Sequence, residues 1–213
     1  MTHSELEIKD RSLKQSYELF NKFGFHKVTM QEIANSMGMS KKTLYKFFEG
    51  KEQIIREIIE NKKCDIDNYL EKLWADENLD FVEKISSMMN FIRTQLPNMR
   101  GPLFEDLKKN IPEIYNEITE SRKKYIREKY SRLIREGIKK GSVRKDLDEE
   151  VVMLVYINAI HNILVPEVLS ELPLTAEQVF DTIVTTLFLG IFTDEGRQKY
   201  QKHLIDQQQI SNN

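Results

Sequence analysis

Apolar residues recur along this chain at the three- and four-residue spacing of amphipathic helices. The clearest segment covers residues 51–75, and its apolar positions are Ile54, Ile55, Ile58, Ile59, Ile66 and Leu70. Glycines and prolines mostly punctuate such segments, and the chain has no alternating Val, Ile and Thr run bounded by tight-turn dipeptides. The pattern therefore predicts an all-α fold of about nine helices.

The predicted helices cover residues 9–23, 31–37, 41–48, 51–75, 80–96, 103–110, 113–140, 148–169 and 176–192. The first three are short and suit a small three-helix domain. The fourth is long and leads into a larger helical body. We therefore predict two domains, an N-terminal one over residues 1–50 and a C-terminal one over residues 51–213.

The stretch TMQEIANSMGMSKKTLYKFF, residues 29–48, carries the signals of two short helices joined by a turn. Thr29 stands at an N-cap position with Glu32 three residues later, which is the spacing of a capping box. Gly38 can adopt the left-handed backbone of a sharp turn, and Ser40 is a good N-cap for the second helix. The stretch predicts a helix-turn-helix whose second helix, on the order of 12 Å long, fits a DNA major groove about 12 Å wide.

The second helix of this motif has one apolar and one basic face. Leu44 and Phe48 are four residues apart and are predicted to point inward, whereas the outer face holds Lys41, Lys42, Thr43 and Lys46, with Tyr45 at its edge. Lysine suits guanine acceptors, the threonine methyl group suits thymine, and a tyrosine hydroxyl donates to phosphate. From spacing alone, a plain helical hairpin with a solvated charged face remains the alternative.

Residues 13–55 resemble the DNA-binding domain of the TetR family of bacterial transcriptional regulators. The matching motifs are LF and GF within residues 19–25, VTMQEIANSMGMS at 28–40 and KTLYKFFEGKEQII at 42–55. The segment EGIKKGSVRKDLDEE, residues 136–150, is similar to the turn before that family's penultimate helix. The resemblance implies a one-component regulator that binds a near-palindromic operator as a homodimer.

The resemblance also implies roles for particular residues. Thr29, Tyr45 and Lys51 match positions that contact phosphates, and Lys51 also opens a helix whose N-terminal dipole favours an anion. The remaining predicted DNA-binding residues are Gln31, Ser40, Lys41, Lys42, Thr43 and Lys46. The chain departs from the family at Phe47, where histidine is frequent, and at Ser16 and Tyr17, where two alanines are frequent.

The last predicted helix, residues 176–192, is apolar over an unusually wide arc, which indicates that it buries two faces. A second copy of the chain is the economical partner for one of them, in a two-fold four-helix bundle. The alternative is a fully internal helix in a monomer. The predicted dimer contacts are Val179, Phe180, Ile183, Val184, Leu187 and Phe188.

The middle helices are predicted to enclose a small, largely apolar ligand. Its candidate lining is Trp74, Phe81, Met88, Met89, Phe91, Phe104, Tyr125, Tyr156 and His161. The competing interpretation is that these residues are ordinary core, because Met and aromatic residues at helical spacing usually are. The basic stretch at residues 120–140 is interpreted as a solvated helix face rather than an RNA-binding arm.

Composition and charge narrow the functional class. The net charge is −2, but residues 1–51 hold nine Lys and Arg against six Asp and Glu, so basic charge is concentrated at the N-terminal end. Neither a signal peptide nor a membrane span is recognised, and Cys64 is the only cysteine, so we expect a cytoplasmic protein without disulfides. The histidines show no metal-ligand spacing, and no metal site or cofactor is predicted.

These observations favour a DNA-binding transcriptional regulator, most simply a repressor whose operator binding responds to a small ligand. No nucleophile–base arrangement, phosphate loop or carboxylate pair stands out, so the protein is not expected to be an enzyme. The rival hypothesis is an all-helical carrier of small molecules with a merely structural N-terminal hairpin. Measured DNA binding separates the two classes.

Overall fold

The structure, a computed structural model, describes residues 2–96 and 102–211. These residues form eleven helices: α1 (His3–Phe23), α2 (Met30–Ser36), α3 (Lys41–Leu44), α4 (Lys51–Ala75), α5 (Phe81–Gln95), α6 (Pro102–Asn110), α7 (Pro112–Lys139), α8 (Glu149–Ile163), α9 (Pro166–Leu169), α10 (Ala176–Ile191) and α11 (Asp194–Ser211). Within the described residues the only β-structure is one antiparallel bridge between Val143 and Phe192. The all-α prediction is confirmed.

The helix number differs from the predicted nine for two local reasons. Residues 148–169 were expected to form one helix, but Pro166 cannot continue a helix and instead occupies the first position of the separate helix α9. Helix α11 was not predicted, because its polar sequence has a weak apolar period. In the described part of the chain, no helix combines the length and the apolar character needed to cross a membrane.

The helices begin where the sequence supplies capping side chains. Thr29, Asp80 and Thr175 each accept a hydrogen bond from the backbone N–H three residues later, and the Glu or Gln at that later position accepts from the cap's own N–H. Such reciprocal capping boxes satisfy two of the backbone donors that a helix start leaves free. The starts of α2, α5 and α10 are therefore set by local sequence.

Packing divides the chain into two compact units. Unit 1 comprises Met1–Tyr69 with Pro97–Ser121, and unit 2 comprises Leu70–Leu96 with Arg122–Asn213. The expected domain boundary after residue 50 coincides with the start of α4, but the packing units divide the chain after Tyr69, Leu96 and Ser121. Helices α4 and α7 each run without interruption from one unit into the other, so neither unit is a continuous stretch of sequence.

Unit 1 is built around a single apolar cluster. Its fully buried members include Phe20, Ile33, Leu44 and Ile54, one from each of the first four helices. Leu103 and Leu107 of α6 are also fully buried in this cluster, and α6 packs against α1. Burying a large aliphatic or aromatic side chain contributes about 1.5–3 kcal/mol, so α6 is an integral part of this unit's core.

Unit 2 contains α5, α8, α9, α10, α11 and parts of α4 and α7. Phe188, Phe192 and Tyr200 form a ring cluster between α10 and α11, with centroids 5.2–5.6 Å apart. Gly137 of α7 allows a very close approach, since a Cβ there would lie 2.4 Å from Val143 and 2.6 Å from Phe81. This packing joins α5, α7 and the segment that follows α7 into one core.

Candidate nucleic-acid interface

The turn of the helix-turn-helix is held by backbone hydrogen bonds around Gly38. The N–H of Met39 donates to the carbonyl of Ala34 at 3.0 Å, and the N–H of Gly38 donates to Asn35 at 3.0 Å. Gly38 has φ +67°, in the left-handed region that favours glycine. Ala34 and Ile33 are fully buried on the inner side of this turn. The turn therefore fixes the direction in which α3 leaves.

Helix α3 is shorter than the predicted 41–48. It covers Lys41–Leu44. Beyond it the backbone turns more tightly than in an α-helix, because the N–H groups of Lys46 and Phe47 donate to carbonyls three residues earlier, at 3.2 and 3.0 Å. Bonds of this i to i+3 type are common at helix ends. Helix α3 ends early because of Phe47 and Phe48. Phe48 is fully buried and Phe47 packs on the same core, so the chain turns toward the interior here.

The predicted base-reading side chains lie on the outside of this segment. Lys41, Lys42 and Lys46 are exposed, as is Tyr45, whose ring lies 5.7 Å from the Lys41 ammonium. The Ser40 hydroxyl accepts from the Thr43 N–H at 3.0 Å and is 2.8 Å from the Thr43 hydroxyl. The two hydroxyls therefore stabilise the helix start, while the lysines project into solvent.

The start of α2 adds two further exposed side chains. Thr29 accepts from the Glu32 N–H at 3.2 Å, and its hydroxyl donates to the Glu32 carboxylate at 2.8 Å. That capping box holds the pKa of Glu32 below its usual range, because the carboxylate accepts from both the backbone and the side chain of Thr29. Gln31 is exposed and donates to Asn35 at 2.7 Å.

Lys51, which the resemblance places among the phosphate contacts, also has partners within its own unit. Its ammonium points into unit 1, where it donates to the carbonyls of Phe25 at 2.8 Å and His26 at 3.2 Å. It also lies 4.8 Å from the centre of the Phe25 ring. Burial lowers the pKa of Lys51, while the nearby Asp106 and Glu32 oppose that shift. The geometry makes Lys51 a positioning residue for the loop between α1 and α2.

The same loop is held from its other side by α6. The Asp106 carboxylate accepts a hydrogen bond from the backbone N–H of His26. Gly24, with φ +85°, lets the chain pass close to Asp106, whose carboxyl carbon would lie 3.3 Å from a Cβ at that glycine. We call residues 24–28, held by Lys51 and Asp106, the clamped loop. Sequence reasoning missed Asp106, because its partner is eighty residues away and the contact is with backbone rather than with a motif residue.

The predicted ligand residues are divided between the two units. Phe104 belongs to unit 1, where it packs against the apolar cluster, and the other eight belong to unit 2. Within unit 2, Phe81, Met88, Met89 and Tyr156 are buried. His161 is exposed on α8, so its place in the predicted lining is corrected. Trp74, Phe91 and Tyr125 are partly buried.

The predicted dimer contacts need a larger correction. Val179, Phe180, Val184 and Phe188 are buried inside the subunit's own core, so they are not available to a second copy. Ile183 and Leu187 are half-buried. The exposed side of α10 instead carries Gln178, Asp181, Thr182 and Thr186. A wide apolar arc was recognised correctly in the sequence, but its most apolar side packs inward.

Helix α8 presents a second exposed face within the same unit. Val151, Leu154 and Val155 are 57%, 45% and 54% exposed, which is high for aliphatic side chains. Asn158, His161 and Asn162 continue that face at helical spacing, and no charged residue occurs from Val151 to Asn162. Among the described residues, no group of three or more His, Cys, Asp or Glu side chains gathers as a metal site.

The N-terminal part of the chain is similar to the DNA-binding region of a known family of regulators. Residues 13–58 match the family model described as bacterial regulatory proteins, tetR family. The chain is 24% identical over 188 residues to the uncharacterized HTH-type transcriptional regulator YvaF of Bacillus subtilis, covering 87% of this chain and 96% of that protein. It is 25% identical over 197 residues to the HTH-type transcriptional repressor KstR2 of Mycolicibacterium smegmatis, covering 88% and 92%.

A solved structure supports the same fold. The ketosteroid transcriptional regulator KstR2 of Mycobacterium tuberculosis superposes with a TM-score of 0.56 at 21% identity, covering 91% of this chain and 98% of that one. At this identity the likeness concerns the fold. Together with the family match, it confirms the resemblance on which the predicted helix-turn-helix rests.

Replacing Gly38 by alanine is expected to lower the free energy of unfolding by about 1–2 kcal/mol, because an L side chain is strained at positive φ. Gly50→Ala is the matched control, since the Cβ meets nothing within 4 Å at either position and only Gly38 has positive φ. Urea unfolding followed by circular dichroism measures both. Equal stability of the two variants would contradict the strain argument.

Lys51→Met and Lys46→Met separate the role of lysine in holding the clamped loop from its role in contacting DNA. Lys51→Met should lower the free energy of unfolding by about 1.5–3 kcal/mol, because two loop carbonyls lose a charged donor, and should leave the salt slope of DNA binding unchanged. Lys46→Met should leave stability unchanged and reduce that slope by about 1 per lost phosphate contact. A reduced slope with unchanged stability for Lys51→Met would restore Lys51 as a phosphate contact.

Proposed function

We propose that this chain, which is a transcriptional regulator of the TetR type, is a repressor that binds its operator as a homodimer and responds to a small, largely apolar effector. The observation that carries the proposal is the outward row of Lys41, Lys42 and Lys46 on a segment whose opposite side is fully buried. A segment fixed on one side and basic on the other suits insertion into the major groove.

Contacts are proposed to divide between sequence reading and phosphate binding. Lys42 and Thr43 lie in the first turn of α3, and the leading residues of a recognition helix meet base edges. Thr29, at the start of α2, and Tyr45 flank that turn and are proposed to contact phosphates, which fix the protein on the duplex without reading its sequence. The clamped loop precedes Thr29 directly, so it positions α2 for these contacts.

A second copy of the chain is the proposed partner of the exposed face of α8. This face begins with three exposed aliphatic side chains and carries no charge, so pairing with its own copy creates no like-charge repulsion. The exposed side of α10 is proposed to complete a two-fold four-helix arrangement, because α8 and α10 pack against each other within unit 2. Two-fold symmetry also supplies the two recognition helices that a palindromic site requires, about 34 Å apart.

Effector binding in unit 2 is proposed to act on DNA binding through the continuous helices α4 and α7. Lys51, at the start of α4, holds the clamped loop, so a displacement of this helix along its axis changes the position of α2. One protein of similar fold is named a ketosteroid transcriptional regulator, which favours an apolar effector for this chain as well. Coupling of this kind requires only that the effector prefers one of two arrangements.

Recovery of bound DNA tests the proposed function directly. The purified protein is incubated with sheared genomic DNA of its source, and the retained fragments are sequenced with the Lys42→Ala/Thr43→Ala variant in parallel. The expected result is enrichment of a near-palindromic site by the wild type and loss of that site by the variant, since base contacts carry the specificity. No enriched site with or without added cell extract would favour the carrier hypothesis.

Charge introduced on the α8 face should separate the dimer. We expect Leu154→Glu and Val155→Glu each to give monomers in light scattering coupled to size exclusion, because the carboxylate would be buried against its symmetry mate. Leu172→Glu is the matched control, since Leu172 is an exposed leucine of the same unit outside this face. The face is not the dimer contact if all three variants keep the oligomeric state of the wild type.

A further inference from the structure

The interior of unit 2 contains two phenols in contact. Tyr130 of α7 and Tyr156 of α8 are 8% and 5% exposed, and their rings stack with centroids 5.2 Å apart. Met89 of α5, also buried, closes the group, and its sulfur lies 3.7 Å from the Tyr156 hydroxyl. Three helices therefore bring two hydroxyls and a thioether to one point in an otherwise apolar core.

The hydroxyls of this group have only weak hydrogen-bond acceptors. The Tyr156 hydroxyl donates to the Met89 sulfur, and the Tyr130 ring stacks on the Tyr156 ring. A thioether is only a weak acceptor, and buried hydroxyls normally have a good one. Ser86 lies one helical turn before Met89, and its buried hydroxyl has no partner among the described residues. The interior of unit 2 therefore contains buried hydroxyl donors that lack a strong acceptor.

Both phenols remain protonated donors. Burial raises the pKa of Tyr156 to about 12 and the pKa of Tyr130 well above its usual value. The other contributions come from neighbouring tyrosines, and no acid or base among the described residues shifts either phenol. An anion placed here would lose its hydration, which is unfavourable.

We propose that Tyr130 and Tyr156 anchor the effector, and that the effector is an apolar molecule with one uncharged carbonyl group. The carbonyl oxygen replaces the Met89 sulfur as acceptor of the Tyr156 hydroxyl. The apolar body takes the place of the Met89 side chain, which is unbranched and can adopt other rotamers, and packs against buried apolar side chains of unit 2. The term effector rests on the proposed function, whereas the binding site does not.

The proposed chemical class of the effector follows from the hydroxyl donors and the apolar surroundings of the site. A hydroxyl donor in a dry apolar surrounding discriminates strongly for a ligand that has an acceptor at the matching point, because the alternative leaves a polar group poorly paired. A carboxylate of the same shape is disfavoured, because burial beside the pair would remove its hydration. Ketones, aldehydes and esters on an apolar frame meet both conditions.

Cyclohexanone is a suitable probe, and cyclohexanecarboxylate is its charged counterpart with the same ring. Each is titrated to tens of millimolar into the full chain carrying ¹³C-methyl methionine, and the Met89 methyl signal, assigned through Met89→Leu, is followed by NMR. Cyclohexanone should shift this signal saturably, with millimolar affinity as expected for a fragment. The carboxylate should leave it in place.

Variants locate the hydrogen bond. Tyr156→Phe should weaken cyclohexanone binding about five- to tenfold, as loss of one hydrogen bond predicts. Tyr200→Phe is the matched control: Tyr200 is also buried, but its hydroxyl faces Thr185 on α10, 3.4 Å away, so binding should stay within about twofold of wild type. Circular dichroism at the same protein concentration checks that each variant is folded.

Three results would overturn the proposal: no shift of Met89 with cyclohexanone, equal binding of the carboxylate, or unchanged binding by folded Tyr156→Phe. If Tyr156→Phe does not fold, Tyr130→Phe replaces it with the same expectation, because Tyr130 stacks on Tyr156 and is the other proposed anchor. DNA recovery is measured without any probe, so failure of the regulator proposal and failure of this site are observed separately.

Discussion

The arrangement of the DNA-binding unit depends on one short loop held by two side chains of opposite charge. The Lys51 ammonium binds the carbonyls of Phe25 and His26, and the Asp106 carboxylate binds the N–H of His26. Hydrogen bonds to charged groups contribute about 1.5–3 kcal/mol, more than neutral ones. Because one partner opens α4 and the other lies on α6, the loop position is set by two helices that are distant in sequence. Every side chain proposed to touch DNA from α2 depends on this loop.

The helices themselves were largely predictable, since their signals are local. Thr29 with Glu32 and Gly38 with Ser40 define the helix-turn-helix through contacts spanning only a few residues, and the structure has each of these contacts or backbone angles. Two features were not predictable in the same way. The end of α3 depends on how Phe47 and Phe48 reach the core, and the role of Lys51 depends on carbonyls 25 and 26 residues away. The periodic pattern of apolar residues in a sequence does not show which distant residues come into contact.

The same limit explains the error about α10. An apolar arc in a sequence shows how much of a helix is buried, but it does not show which part faces the subunit's own core. Phe180 and Phe188 are the largest residues of that arc and therefore fill the interior, where large side chains gain most from burial. The exposed aliphatic face was on α8 instead, where Val151, Leu154 and Val155 resembled ordinary core positions in the sequence.

The exposed lysines at positions 41, 42 and 46 contribute nothing to the core beneath them, since Leu44, Phe47 and Phe48 supply its side chains from this segment. Substitutions at Lys41, Lys42 or Lys46 are therefore nearly neutral for folding, and surface changes of this kind usually lie within about 0.5 kcal/mol. The phenols of unit 2 belong to a different packed core. Over evolutionary time, descendants of such a chain are free to acquire a new target site and a new chemical signal by independent steps, without passing through an unfolded ancestor.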